Sequence, residues 1–200
     1  MLDEFSDEQL MLRYQQGDAR AYEELLGRHY RPVFRYLIRS VRDRNVAEDL
    51  LQDVFMRVIR GAEAYRETAK FTTWLYTIAK NTLIDAARKQ KFRNHQSLDQ
   101  PMRNDADGGA TRVDFVRDER SEGNADRRLA DRQFTETLQE VLERLNPEQR
   151  EVFLLREFQH LSFSEIAEVV KASENTVKSR MRYALTFLRN ELSEFAEAKH

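Results

Sequence analysis

The sequence predicts an all-α protein of two helical domains joined by a flexible linker, and three observations predict it. Apolar residues recur at three- and four-residue spacing over residues 6–92 and again from 129 onward, the period of a helix with one buried face. Between 94 and 128 that period disappears, and three of the six glycines (Gly108, Gly109, Gly123) and Pro101 appear among polar residues, as in a tether. The composition, with 34% charged and 40% hydrophobic residues and only six Gly and three Pro, is that of a soluble helical protein. A structureless stretch of that length is uncommon inside one compact domain, and 200 residues suffice for two small ones.

The first domain is expected over residues 1–93. Its helical pattern runs through Leu10 and Tyr14, then Tyr22, Leu25 and Leu26, then Val33, Phe34, Leu37, Ile38 and Val41. The next tract, from Val46 to Arg60, places Leu50, Leu51, Val54, Phe55, Val58 and Ile59 on one side of a helix. Asp49, Gln52, Asp53 and Arg57 fall largely on the other, and the helix ends at Gly61 or soon after. A third tract starts near Thr72 and runs through Trp74, Leu75, Ile78, Ala79, Thr82, Leu83 and Ala86. It carries Arg88, Lys89, Lys91 and Arg93 in its last turns, where cations meet the negative end of the helix dipole.

Residues 94–128 read as the linker, in which the short apolar patch Val113 to Val116 is expected to make only transient contacts. In the second domain, 129–200, the period returns with Leu129 and continues through Phe134, Leu138, Val141, Leu142 and Leu145. Asn146 as N-cap, Pro147 at the first helical position and Gln149 at the third form a helix start, and the helix carries Val152, Phe153, Leu155 and Phe158. Ser162 and Glu165 make a capping box ahead of Ile166, Ala167, Val169 and Val170. Ser173 caps a last helix that runs to about Leu192.

Composition also excludes chemistry. With no cysteine there is no disulfide, thiolate zinc site, iron–sulfur cluster or cysteine nucleophile. The four histidines, His29, His95, His160 and His200, show no metal-ligand spacing, and there is no Gly-rich phosphate loop or nucleophile elbow. Neither a metal, nor a cofactor, nor catalysis is expected. An acidic N-terminus and the lack of an apolar run near 18 residues point to the cytoplasm, without membrane insertion. A net charge of −2 argues against coating nucleic acid by bulk electrostatics, so any DNA contact must be local or assisted by a partner.

The sharpest local signal is a short helix from about Phe163 to Val170, a tight turn at Lys171 to Ser173, and a longer cationic helix. That is the helix-turn-helix arrangement, whose second helix enters the major groove of DNA. Five basic residues (Lys171, Lys178, Arg180, Arg182, Arg189) and one acidic residue, Glu174, lie between 171 and 189. Asn175, Lys178, Ser179 and Arg182 share one helix face, and Val177, Met181, Ala184, Leu185 and Leu188 give the buried one. A solvated amphipathic helix in a bundle is the competing reading of this segment alone. Tyr65, Phe71, Trp74 and Tyr76 ahead of a basic tail resemble a stacking platform for unpaired bases, although aromatics at helical spacing are more often core. Asp49 and Asp53, one turn apart, read as a solvated polar face rather than an acid–base or metal pair. A DNA-binding regulator acting alone, and a carboxylate metal hydrolase, are the alternatives that these patterns leave.

Taken in order, Leu25-Leu26 with Tyr30, the tract Ala47 to Phe55, the tract Phe71 to Asn81, Asp85 and Arg88, the tract Leu145 to Phe153, the Glu165-Ile-Ala helix and Asn175-Thr-Val-Lys-Ser-Arg resemble one family, the extracytoplasmic-function (group 4) sigma factors of the sigma-70 family. The resemblance covers nearly all of the chain except the linker. It implies an alternative sigma factor that binds core RNA polymerase and directs promoter-specific initiation, with no enzymatic chemistry of its own. The first domain would be sigma domain 2, docking on the beta-prime clamp helices through Asp49, Gln52 and Asp53. Its loop residues Tyr65, Lys70, Phe71 and Thr72 would capture an unpaired minus-ten base, with Asn81, Asp85, Arg88 and Lys89 along the strand and Trp74 mainly structural. The second would be sigma domain 4, meeting the beta flap and reading the minus-thirty-five duplex through Asn175, Thr176, Lys178, Ser179, Arg182 and Tyr183. The linker would thread the RNA-exit path, and an anti-sigma factor would mask both domains.

Overall fold

Local capping side chains set where several of the helices of this chain begin. A computed structural model describes residues 2–97 and 137–197, and among these every regular element is helical. The chain divides into two compact units, Met1–Asp114 and Phe115–His200, and the division falls inside the expected linker. Of that linker only 94–97 are described, as the end of a helix that runs to Ser97, past the expected edge at Arg93. The patch at Val113 to Val116, and Leu129 and Phe134, lie outside the described residues.

In the first unit, α1 (Asp7–Gln15) opens on a capping box, in which Ser6 Oγ accepts from the Gln9 N–H and the Gln9 side chain accepts from the Ser6 N–H. A tight turn at Gly17, with φ +96, leads into α2 (Ala19–Val41), which ends on left-handed Arg42. Asp43 caps α3 (Arg44–Gly61) by accepting from the Val46 N–H at 3.0 Å. A short 3-10 turn, Ala62–Ala64, and a loop then lead to α4 (Phe71–Ser97). The apolar stripes of the four helices meet in one core, where Met11, Leu25, Tyr36, Leu37, Leu51 and Leu75 are fully buried. Tyr36 of α2 meets Tyr76 of α4 edge to face at 5.5 Å.

In the second unit, α5 (residues 137–144) precedes α6 (Pro147–Phe153). Asn146 caps α6 as expected, accepting from the Glu148 N–H at 3.0 Å with Pro147 in the first turn. The helix expected to carry Leu155 and Phe158 widens after Phe153 into a π-helical turn, Leu154–Phe158, which still buries Leu154 and Leu155. α7 (Phe163–Val170) opens on the expected capping box of Ser162 and Glu165. Left-handed Lys171 turns the chain into α8 (Glu174–Glu197), which runs beyond the expected end near Leu192.

Candidate nucleic-acid interface

The geometry of α7, the turn and α8 starts with the turn. Lys171 takes the left-handed conformation at φ 53, its N–H bonds back to Glu168 O, and Ser173 Oγ accepts from the Thr176 N–H at 3.1 Å. Val177, Met181, Ala184 and Leu188 are buried against the rest of the unit. Leu185, expected in the same stripe, is 45% exposed. At 100° per residue it stands about 70° off the centre of that four-residue stripe, beyond the reach of the core. Opposite the stripe, Asn175, Lys178 and Arg182 are exposed and Ser179 half-buried, one above another on one face. Thr176 and Tyr183, both exposed, occupy the adjoining shoulder.

Ion pairs sort the cations of α8. Arg180 pairs with Glu148, so that guanidinium ties α8 to the start of α6. Lys178 pairs with Glu174 one turn earlier and lies 5.9 Å from the Phe163 ring, and Arg182 lies 5.7 Å over the Tyr183 ring. Thr176 shares a 2.8 Å hydrogen bond with Ser173. The Lys178 and Arg182 heads thus stay on the outer face, in surface contacts of the kind that contribute little to stability.

In the first unit, α3 exposes Asp49, Gln52 and Asp53, with the exposed Met56 one turn further on. Ile59, expected in the core stripe, is 37% exposed because its position on the helix lies toward the edge of that stripe. Arg57 does not join the acidic face; it reaches α4 and pairs with Asp85 at 2.8 Å. Asp85 is thereby engaged within the protein, a pairing that the sequence pattern did not signal.

The loop between α3 and α4 corrects the expected role of two aromatics. Tyr65 is 2% and Phe71 1% exposed, so neither ring offers a face to a base. Both are core: Tyr65 meets Trp74 at 5.1 Å and Phe71 at 6.1 Å, and the His29 ring lies 5.3 Å from Phe71. The Tyr65 hydroxyl donates to Ala69 O at 3.2 Å; burial, then the charges of Glu8, Glu67 and Asp7, push it up to about 12, so it stays protonated. Trp74 closes over Gly61, where an added Cβ would come 3.2 Å from Trp74 Cζ2. Of the expected set, Lys70, Asn81, Arg88 and Lys89 are exposed and Thr72 half-buried. Asn81 and Arg88 share a line along α4 with the exposed Phe92, and Lys89 lies to one side.

Among the described residues no group of three or more His, Cys, Asp or Glu is placed to hold a metal ion, and no helix is long and apolar enough to cross a membrane. The exposed surfaces of the two units are an acidic face on α3, a polar and cationic line on α4, and a mixed face on α8.

Comparison with known proteins covers both units. Residues 25–93 match the family model of sigma-70 region 2, and residues 135–188 that of sigma-70 region 4. The chain is 30% identical over 195 residues to the ECF RNA polymerase sigma-E factor of Haemophilus influenzae, covering 96% of this chain and 98% of that protein. It is 32% identical over 184 residues to the RNA polymerase sigma factor CarQ of Myxococcus xanthus, covering 92% and 96%. Its fold is similar to that of the sigma factor RpoE solved in complex with the anti-sigma factor NepR from Bartonella quintana, with a TM-score of 0.66 at 19% identity over 86% of this chain and 96% of that one.

Proposed function

The chain belongs to the extracytoplasmic-function branch of the sigma-70 family, alternative sigma factors that direct transcription initiation, and on that premise we propose how its three surfaces divide the work. The α3 face of Asp49, Gln52 and Asp53 docks on the beta-prime clamp helices of core RNA polymerase. A negative face suits a basic helical partner, gaining specificity and association rate from charge. The loop before α4 and the line of Asn81, Arg88 and Lys89 hold the opened minus-ten strand, with Lys70 and Thr72 nearest the captured base. Tyr65 and Phe71 serve by shaping the loop from beneath, because both are buried.

The second unit meets the beta flap and lays α8 in the major groove of the minus-thirty-five element. The observation that carries this reading is the α8 face itself, where Asn175, Lys178 and Arg182 stand exposed opposite a buried stripe. Amide, ammonium and guanidinium groups are the donors that read base edges and anchor phosphates. A chain of net charge −2 binds free DNA weakly, and polymerase supplies most of the phosphate contacts. An anti-sigma factor is the regulatory partner, as in the related RpoE complex.

The test is transcription in vitro with core RNA polymerase and the purified chain over a genomic library. Discrete core-dependent transcripts, reduced by Arg182→Ala, are expected, with weak binding of the free chain to the same promoters. Tight promoter binding without polymerase, and no initiation with it, would overturn the reading in favour of a regulator that acts alone.

A further inference from the structure

Helix α1 lies outside the residues that either family model matches, yet it bonds to both ends of the loop between α3 and α4. At its C-terminal end, Gln15 Nε2 donates to Ala62 O at 2.7 Å and to Tyr65 O at 3.1 Å. At its N-terminal end, Glu8 Oε1 accepts from the Phe71 N–H at 2.9 Å. The residue directly before α4 is Lys70, whose ammonium has no lone pair to accept with. The first N–H groups of a helix have no partner inside it, so a carboxylate from a distant helix fills the place of a local acceptor and favours the positive end of the dipole. Inside these two tethers the loop closes on itself, with Tyr65 donating to Ala69 O and Arg66 Nη1 donating to Glu63 O at 2.7 Å.

α1 is itself anchored. Asp7 accepts from His29 Nε2 at 2.6 Å and from Arg28 Nη1 at 3.0 Å, so the residue beside Glu8 is pinned to α2. A helix pinned to α2 therefore bonds to the start and the end of the loop whose outer residues, Arg66, Glu67, Thr68 and Lys70, are exposed.

We infer that Glu8 and Gln15 are positioning residues for promoter opening: α1 braces both ends of the loop so that Lys70 and Thr72 meet an unpaired minus-ten base in a preset geometry. This rests on the proposed role of that loop in base capture. Extracting a base from the stack costs free energy that a shaped site must return, and a loop that has to be ordered during capture returns less.

The experiment uses the full chain with core RNA polymerase on a promoter mapped as above, presented as duplex and as a template already opened across the minus-ten element, each with the preferred base and with its substitutions. Glu8→Ala and Gln15→Ala are expected to slow open-complex formation on the duplex about ten-fold, the scale of one lost cap or buried hydrogen bond. They should also flatten the preference for the correct minus-ten base on the opened template, leaving core binding unchanged. Glu8→Gln, which keeps an acceptor oxygen, should restore most of the preference. Trp74, the only tryptophan and part of the cluster under the loop, reports by its emission whether each variant is folded. Should Glu8→Ala not fold, Gln15→Ala carries the same test on the other tether. Loss of activity by one factor on every template, with base preference intact, would make α1 merely structural and overturn the inference. A parent chain with no base preference in the loop would instead overturn the functional reading beneath it.

Discussion

Replacing Asp7 by asparagine removes one charge from the node that pins α1 to α2. The Asp7 side chain is only 20% exposed and accepts from both His29 and Arg28, at 2.6 Å and 3.0 Å. Arg28 also donates to Glu24 and to the carbonyls of Phe5 and Leu2, so the variant leaves it partly satisfied. A hydrogen bond to a charged group contributes about 1.5–3 kcal/mol, and asparagine keeps one neutral acceptor, so the expected loss at pH 7 is about 1–2 kcal/mol.

Trp74 is the only tryptophan and lies in the first unit, so its fluorescence in urea follows that unit alone. With an m value of about 2 kcal/mol per molar, the midpoint should fall by about 0.5–1 M. The pH dependence carries the sign. Burial raises the Asp7 carboxyl, but the hydrogen bonds and charges of His29 and Arg28 outweigh it and hold the group below its usual 3.8. A carboxylate depressed in the folded state contributes stability that is fully present above its unfolded value and is lost as pH falls through the folded one. The gap between parent and Asp7→Asn should therefore be full at pH 7 and close as the pH drops below 3.8. An equal gap at pH 7 and at pH about 2.5, well below the ordinary carboxylate range, would refute the reasoning.

Four further outcomes separate contact from support. Arg182→Ala should weaken holoenzyme binding to its promoter by about 1–3 kcal/mol if the guanidinium reads a base, with the melting of the free chain unmoved. Arg180→Ala should instead lower the stability of the second unit by at most about 1 kcal/mol, because that guanidinium pairs with the exposed Glu148; calorimetry beside promoter anisotropy distinguishes the two. Gly61→Ala places a Cβ 3.2 Å from Trp74 Cζ2, so the indole must shift and its emission change, with stability altered by no more than about 1 kcal/mol; an unchanged spectrum counts against this packing. Ser162→Ala removes the acceptor for the Glu165 N–H and should cost about 1 kcal/mol in chemical unfolding followed by circular dichroism, and an unaltered curve would show that the cap does not hold α7.

What could be read from the sequence was local. The caps at Asn146, Ser162 and Ser173 were legible because each side chain bonds to a backbone group two or three residues away. The start and end of α7, and the polar faces of Asp49, Gln52 and Asp53 on α3 and of Asn175, Lys178 and Arg182 on α8, followed from a period of 3.6 residues. The same period misplaced Leu185 and Ile59, since it ranks positions around a helix without saying how wide the contact with its neighbours will be. It also left Tyr65 and Phe71 ambiguous: a ring beside cations has the same spacing whether it faces a base or the core.

The chain's own order of residues determined its helices, their caps, the two-part organisation and the family to which it belongs. Only tertiary structure decided which charges are engaged and which rings are hidden. Asp7 with His29, Glu8 with the Phe71 N–H, Gln15 with Ala62, Arg57 with Asp85 and Arg180 with Glu148 join groups 22 to 63 positions apart. Capping and amphipathic patterning act within one or two turns, so they show where a locally capped helix begins and which side is apolar. Which helix comes to lie against that side, and which polar groups then meet across the seam, depends on the packing of all the stripes at once.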